Sequence, residues 1–227
     1  MTSDMTSDVT SYDIRDHRAM LSATTGDFVS QAARTLAELR VPDLLHGTPR
    51  SAEEIAESVG THPDATFRLL RCAVFLGFLT HDDATGRFAT TALLDRLRTD
   101  APDSLRNTAI MSSSPGHWGL WGLLPDVVRT GTEQSALAHG RSIWEYYAEH
   151  PDEADRFTRG MTELSAQIIR EAVAAIDAKP GDTIVDLGGA TGAFVLSMLE
   201  RHPGTNGIVV DLPTPRTRPG ARSPGGT

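Results

Sequence analysis

The segment Asp182-Thr-Ile-Val-Asp-Leu-Gly-Gly-Ala-Thr-Gly-Ala-Phe-Val-Leu-Ser-Met-Leu-Glu-Arg-His-Pro-Gly-Thr-Asn-Gly-Ile-Val-Val-Asp-Leu-Pro213 constrains this chain more than any other. It reads as strand, glycine loop, helix, strand and terminal acid, in that order. Ile184 and Val185 form the apolar run of a buried parallel strand. Gly188, Gly189 and Gly192 let the backbone turn sharply beneath a ligand, and a helix follows from about Ala193 to Arg201. The second strand is Ile208 to Val210, with Asp211 at its C-terminal end. An acid there can accept hydrogen bonds from both ribose hydroxyls of an adenosine-containing cofactor. Glycines alone are weak evidence, because close helix-to-strand packing also selects them. The full ordered set points to a nucleotide-type cofactor.

Asp186, two residues before the first glycine, discriminates among such cofactors, because dinucleotide fingerprints usually keep an apolar residue at that place. A carboxylate suits a cationic ligand and would repel a pyrophosphate. S-adenosylmethionine carries an ammonium and a sulfonium and no pyrophosphate, so it fits the acid. The alternative, that Asp186 only accepts hydrogen bonds from loop amides, stays open.

Upstream, the polar opening Met1 to Asp16 buries too little apolar area to offset the entropy of ordering it, and a disordered tail is expected. Phe28, Ala32, Ala33, Leu36, Leu39 and Leu44 fall near helical spacing, with a break or new start at Pro42. Ser51 with Glu54 is a capping-box pattern, and Gly60 suits a left-handed C-cap. A second helix runs from about Pro63 to Gly77. Phe78-Leu-Thr, Asp82-Asp-Ala-Thr-Gly and Arg87-Phe-Ala-Thr then read as strand, turn, strand. Helix, helix, hairpin is a winged-helix pattern. Its functional reading is duplex DNA binding, and the competing one is a packing and dimerisation module. The second helix offers only Arg68 and Arg71 against Asp64, and the hairpin carries His81, Asp82 and Asp83, which favours dimerisation.

Trp118, Leu120, Trp121, Leu124, Val127 and Val128 form an apolar helical stripe ended at Gly131, expected to be core. A short aromatic helix then stops at Pro151. Asp152 is expected to cap a long helix through Phe157, Met161, Leu164, Ile168, Ile169, Val173 and Ile176. The single cysteine, Cys72, sits in an apolar helical pattern and reads as a buried structural thiol. A net charge of -9 argues against a nonspecific hold on phosphate backbones or an anionic membrane surface. No run approaches the length of a membrane span and no secretory signal opens the chain, so the expected compartment is the cytoplasm. The scattered histidines show no metal-ligand spacing, and no catalytic residue is assigned.

Leu-Pro-Asp-Val-Val-Arg-Thr-Gly, His139-Gly-Arg-Ser-Ile-Trp-Glu-Tyr, Phe157-Thr-Arg-Gly-Met-Thr-Glu-Leu-Ser, Val185-Asp-Leu-Gly-Gly-Ala-Thr-Gly and Val210-Asp-Leu-Pro occur in succession. Together they resemble the S-adenosylmethionine-dependent small-molecule O-methyltransferases of bacterial polyketide and plant phenolic pathways, over roughly Asp27 to Pro213. The resemblance implies a mainly α, winged-helix-like dimerisation domain, followed by the start of an α/β, Rossmann-like methyltransferase domain. It implies a homodimer formed through the N-terminal domain and a small aromatic substrate. It places S-adenosylmethionine against Gly188, Gly189 and Asp211, with Asp186 and Gly192 in the same loop. It brings Ser165 to the cofactor carboxylate and Trp144 and Met161 to the substrate side. Ala190 departs from the family, which usually has a third glycine there, and its methyl group either crowds the cofactor or points into helix packing.

The expected organisation is a tail over 1–16, a dimerisation domain over 17–110, linking helices over 111–180, the first βαβ unit over 181–212 and a disordered tail over 213–227. After Leu212 the chain is rich in Pro, Arg, Gly and Thr, with Ala221 its only apolar residue, which reads as a truncation or an out-of-frame stretch. The family continues at this point with further strands and the histidine that takes the substrate proton. The leading expectation is therefore a natural-product O-methyltransferase in truncated form. The alternatives are a noncatalytic dimerisation or regulatory partner of a full-length or split methyltransferase, and a winged-helix DNA-binding regulator, against which the acidic hairpin counts.

Overall fold

A computed structural model describes residues 14–212. The expected C-terminal tail and all but the last three residues of the expected N-terminal tail lie outside that range. Residues 14–16 are not tail but the first turn of a helix, α1 (Ile14–Thr24), which is followed by α2 (Gly26–Glu38) and α3 (Val41–Leu45). Helix α4 (Ala52–Val59) has the ends its sequence encodes. Ser51 Oγ accepts from Glu54 N at 3.3 Å, the Glu54 carboxylate accepts from Ser51 N at 2.8 Å, and Gly60 closes the helix in the left-handed region. Glu54 also receives both terminal nitrogens of Arg87, at 3.0 and 2.9 Å. The box that starts α4 thereby ties it to the hairpin β1 (Leu79–Asp82) and β2 (Arg87–Thr90), which follows α5 (Pro63–Phe75).

Around that hairpin lies the core of the N-terminal part. Phe88 is fully buried against Leu36, Leu45, Ile55, Leu70, Leu79 and Leu94. Each such side chain contributes roughly 1.5–3 kcal/mol of hydrophobic stabilisation. Two expectations fail at the surface of this unit. Cys72 is exposed, because α5 turns Thr66, Leu70 and Ala73 inward and leaves Cys72 on the face it shares with Phe75, which is 89% exposed. The tryptophan stripe is not one buried helix. It splits at Gly122 and Leu123, ahead of Pro125, into α7 (Pro115–Trp121) and α8 (Leu124–Thr130). Of its side chains Leu120 is buried, while Trp118, Trp121, Leu124 and Val128 are exposed.

The second half hangs on α11 (Pro151–Ala175), which follows α9 (Gln134–His139) and α10 (Ile143–Glu149). At 25 residues it is about 37 Å long. Its first residue is Pro151 with His150 before it, so Asp152 lies in the first turn and makes no cap bond, contrary to expectation. Proline is suited to that place because its missing N–H has no helical partner there. On one face, α11 grips α6 (Arg106–Ser112). The Glu163 carboxylate accepts Asn107 N, Asn107 Nδ2, Thr108 N and Thr108 Oγ1 at 2.6–3.2 Å, satisfying amides at the start of α6. One turn earlier, Gly160 lets the helices touch. A Cβ there would stand 2.8 Å from Met111 Sδ and 3.0 Å from Asn107 O.

β3 (Thr183–Leu187), α12 (Ala193–Arg201) and β4 (Asn206–Val210) form the expected unit, with the strands parallel and Val185 opposite Ile208. Val195 and Met198 of α12 are buried, but the strands are not. Leu187 is 77% exposed, and Val185, Ile208, Val209 and Val210 are exposed too, correcting the expectation of a buried strand. One helix covers one face of a two-stranded sheet, and parallel sheets ordinarily need cover on both.

Removing the Glu163 carboxylate leaves the first amides of α6 without their acceptor. Glu163→Ala is expected to lower the unfolding free energy by about 2 kcal/mol, read as a shift of the urea midpoint with little change in slope.

Candidate functional site

The parallel register sets Asp186 opposite Val209 and Leu187 opposite Val210, and Gly188 N extends the ladder to Val210 O at 2.7 Å. The glycine loop and Asp211 therefore emerge side by side from the C-terminal ends of the two strands, the end at which open α/β sheets bind ligands. Within the loop, Gly189 has no room for a side chain, since a Cβ would lie 2.6 Å from the Asp186 carboxylate and 2.9 Å from Val209 Cγ1. The chain reverses through Gly188 and Gly192, both at φ +75°, and through Ala190 at φ +45°.

The departure at Ala190 now has a physical content. The place where the resemblance leads one to expect glycine requires the left-handed region, which an L-residue with a Cβ occupies at about 1–2 kcal/mol. What holds Ala190 there is the far strand. Its N–H donates to Asp211 Oδ2 at 2.6 Å, and Leu212 N–H donates to Oδ1 at 2.6 Å. Each oxygen of Asp211 keeps a further lone pair for a hydroxyl donor. Asp186 lies beneath Gly189, and among the described residues no loop amide donates to it, so no hydrogen bond supports the reading that it only braces the loop.

Of the remaining sequence candidates, Ser165 sits on α11 with its hydroxyl turned back to Met161 O at 2.6 Å, and does not meet the loop. The contact between α11 and the loop is made instead by Thr162, whose Oγ1 lies 3.4 Å from Thr191 Oγ1. Trp144 is 56% exposed and Met161 is exposed. Trp144 stands edge-on to Phe157, with ring centroids 6.2 Å apart, and Phe157 stacks on His117 at 5.5 Å.

The sequence reading missed the polar cluster beneath these rings. Glu153, in the first turn of α11, accepts Ser114 Oγ at 2.6 Å, Gly116 N at 2.8 Å and Tyr146 OH at 3.1 Å. Burial alone would raise its carboxyl, but the three donors outweigh burial and hold it below the ordinary range. Tyr147 OH lies 3.1 Å from His117 Nδ1. Burial pushes the Tyr147 phenol up, with Glu153 adding to the effect, and pushes the His117 imidazolium down, so both stay neutral near pH 7. Spacing gave no sign of this cluster, because Ser114, Gly116 and His117 lie 30 to 39 residues before their partners in α10 and α11.

Two clefts open on the helical part. One of about 450 Å³ lies beside Arg34, Ser114 and Glu153, and one of about 700 Å³ beside Ser113, Trp118 and Trp121. Neither includes a residue of the glycine loop. Among the described residues no group of three or more His, Cys, Asp or Glu side chains is placed to hold a metal ion. No helix among them is long and apolar enough to cross a membrane.

Replacing Ala190 by glycine relieves the left-handed strain and adds some unfolded-state entropy. The net expectation for Ala190→Gly is a gain of about 0.5–1 kcal/mol in stability, measured by urea titration with circular dichroism.

Comparison with known proteins agrees with this geometry. Residues 21–100 match the model of the O-methyltransferase dimerisation domain, and residues 121–217 that of the O-methyltransferase domain. The mitomycin biosynthesis 6-O-methyltransferase of Streptomyces lavendulae is 34% identical over 191 residues, which is 83% of this chain and 54% of that protein. The structure of the mitomycin 7-O-methyltransferase MmcR superposes with a TM-score of 0.78 at 30% identity, covering 88% of this chain and 59% of that one. The O-methyltransferase NcsB1 from neocarzinostatin biosynthesis, solved with S-adenosylmethionine and 2-hydroxy-5-methyl naphthoic acid, superposes at 0.69 with 30% identity, covering 82% and 57% of the two chains. The chain spans about half the length of the curated relatives it matches. With both domain models matched in order, and with relatives of the same kind on either comparison, the chain belongs to the O-methyltransferase family.

Proposed function

We propose that the chain binds S-adenosylmethionine at the loop between β3 and α12 and serves methyl transfer to an oxygen of a small aromatic natural product. It acts as a homodimer associated through residues 17–110, whose helix, helix, hairpin unit is a winged-helix-like packing module. The observation that carries the reading is the convergence of Gly188, Gly189, Gly192 and two carboxylates at one end of the parallel pair.

The fit to the cofactor rests on the donor set. Asp211 offers acceptor oxygens for ribose hydroxyls, and Asp186, under a glycine that admits no Cβ, offers negative charge to a cationic amino-acid end. Ser165 now turns its hydroxyl back to Met161 O, and the proposal gives it the cofactor carboxylate. When bound, the cofactor supplies an electrophilic methyl group on a sulfonium. The chain's own residues hold and orient it, while Trp144 and Met161 present apolar surface to the acceptor substrate. Methyl transfer of this kind depends on aligning the acceptor oxygen with the methyl group, so positioning supplies much of the rate.

Isothermal titration with S-adenosylmethionine, with light scattering on the same sample, tests both halves of the proposal. Saturable binding by a species of twice the chain mass is expected, weakened at least ten-fold by Asp211→Ala. A folded dimer that takes up no cofactor overturns the cofactor assignment, and a folded monomer overturns the dimer.

A further inference from the structure

The side-chain contact between Thr162 and Thr191 joins α11 to the glycine loop and bears on how that loop keeps its shape. We infer that Thr162 is a positioning residue, which acts through Thr191 to hold the turn from Gly188 to Gly192 in the form that receives the cofactor. The inference rests on the cofactor site of the proposed function and deepens it by naming what fixes that site against the helical part.

The direction of the bond follows from the protons available. Thr162 Oγ1 lies 3.0 Å from Thr158 O and 3.4 Å from Thr191 Oγ1. A hydroxyl has one proton and a carbonyl oxygen only accepts, so Thr162 donates to Thr158 O. Its oxygen is left to accept, and the proton in the second contact comes from Thr191. Bonding back to the preceding turn also selects the Thr162 rotamer, since a β-branched side chain in a helix has few to choose from. The acceptor that Thr191 meets is thus fixed to a helix of 25 residues. Glu163, the next residue, fastens that helix to α6.

The turn needs such a hold. Gly188, Ala190 and Gly192 all stand in the left-handed region, at φ +75°, +45° and +75°. A strained conformation persists only where its surroundings impose it. Ala190 N–H is tied to Asp211 on the β4 side, and Thr191, the next residue, is tied to Thr162 on the α11 side. Two consecutive residues are therefore fixed from different elements. The two ties differ in kind, because Asp211 is also assigned to the ribose, whereas Thr162 meets only the protein. Without its tie Thr191 is an exposed residue of a strained turn, and Ala190 is held from one side alone. Met161, the residue before Thr162, stands with the aromatic wall of Trp144 and Phe157 on the acceptor side of the proposed site. One stretch of α11 thus addresses both the loop and the acceptor.

Amide hydrogen exchange of the full chain, followed by NMR, tests the inference without a ligand. The reporters are Ala190 N–H, bonded to Asp211, and Gly192 N–H, bonded to Gly189 O at 2.7 Å, since opening of the turn frees both. Thr162→Val keeps the side-chain shape and loses the hydroxyl. In it both amides are expected to exchange about five-fold faster, while Asn107 and Thr108 N–H, bonded to Glu163, keep their rates. Thr162→Ser is expected to restore the original rate. Thr191→Val is expected to match Thr162→Val, and the double variant to be no faster than either, because the two hydroxyls are the ends of one bond. Unaltered rates at Ala190 and Gly192 in Thr162→Val overturn the inference. So does acceleration that spreads equally to Asn107 and Thr108, or that persists in Thr162→Ser, the mark of a packing role. Titration with S-adenosylmethionine on the same samples is expected to show binding about five-fold weaker in Thr162→Val and recovered in Thr162→Ser. Faster exchange with undiminished binding also overturns the positioning role. Absence of binding in every form, with the exchange pattern as expected, removes the cofactor assignment and leaves Thr162 as the anchor of the loop.

Discussion

The hold of α11 on the α6 and α7 segment is the interaction on which the rest of the molecule depends. The N-terminal core, built around Phe88, and the βαβ unit share no large apolar surface of their own. They are joined by one helix, which fixes its partner at three places on one face. Glu153 takes Ser114 and Gly116, Gly160 admits Met111, and Glu163 takes the opening amides of α6. The residues are spaced by seven and three, so a single stripe of the helix does this work. The same helix reaches the glycine loop through Thr162. Position of the loop relative to the aromatic wall is therefore set by a rigid element and not by a flexible connection.

Four acids thus come to do two different things. Glu153 and Glu163 are spent on backbone amides and hydroxyls of neighbouring helices, and their charge is answered within the fold. Asp186 lies in β3 just before the glycine loop, whose amides do not donate to it, and Asp211 accepts two amides while keeping capacity for more. The glycine makes room for the Asp186 carboxylate, since a Cβ at Gly189 would sit on it.

Much of this was legible in the residues themselves. The βαβ unit, its boundaries at Ala193 and Arg201, the capping box at Ser51 and the hairpin after α5 all rest on local chemistry, in which each residue acts on neighbours a few positions away. What was not legible depends on tertiary facing. Cys72 and the tryptophans have the spacing of a buried stripe, yet the helices bearing them turn other residues inward. The exposed strand side chains are another case, because apolar content predicts that a strand wants cover and does not show how much cover it has. The His117, Tyr147 and Glu153 cluster left no trace in spacing. The capping logic chose Asp152 and passed over its neighbour Glu153, the acid that holds the cluster.

All three tryptophans of the chain, Trp118, Trp121 and Trp144, lie at exposed positions. An indole in water emits at long wavelength whether the chain around it is folded or not. The intrinsic fluorescence of this protein is therefore a poor gauge of its folding and a sensitive gauge of its contacts. A blue shift would signal that something has covered the helical face at Trp118 and Trp121 or the aromatic wall at Trp144. The two sites are separable by substituting one set at a time, so the molecule carries its own optical reporters of association and of ligand entry.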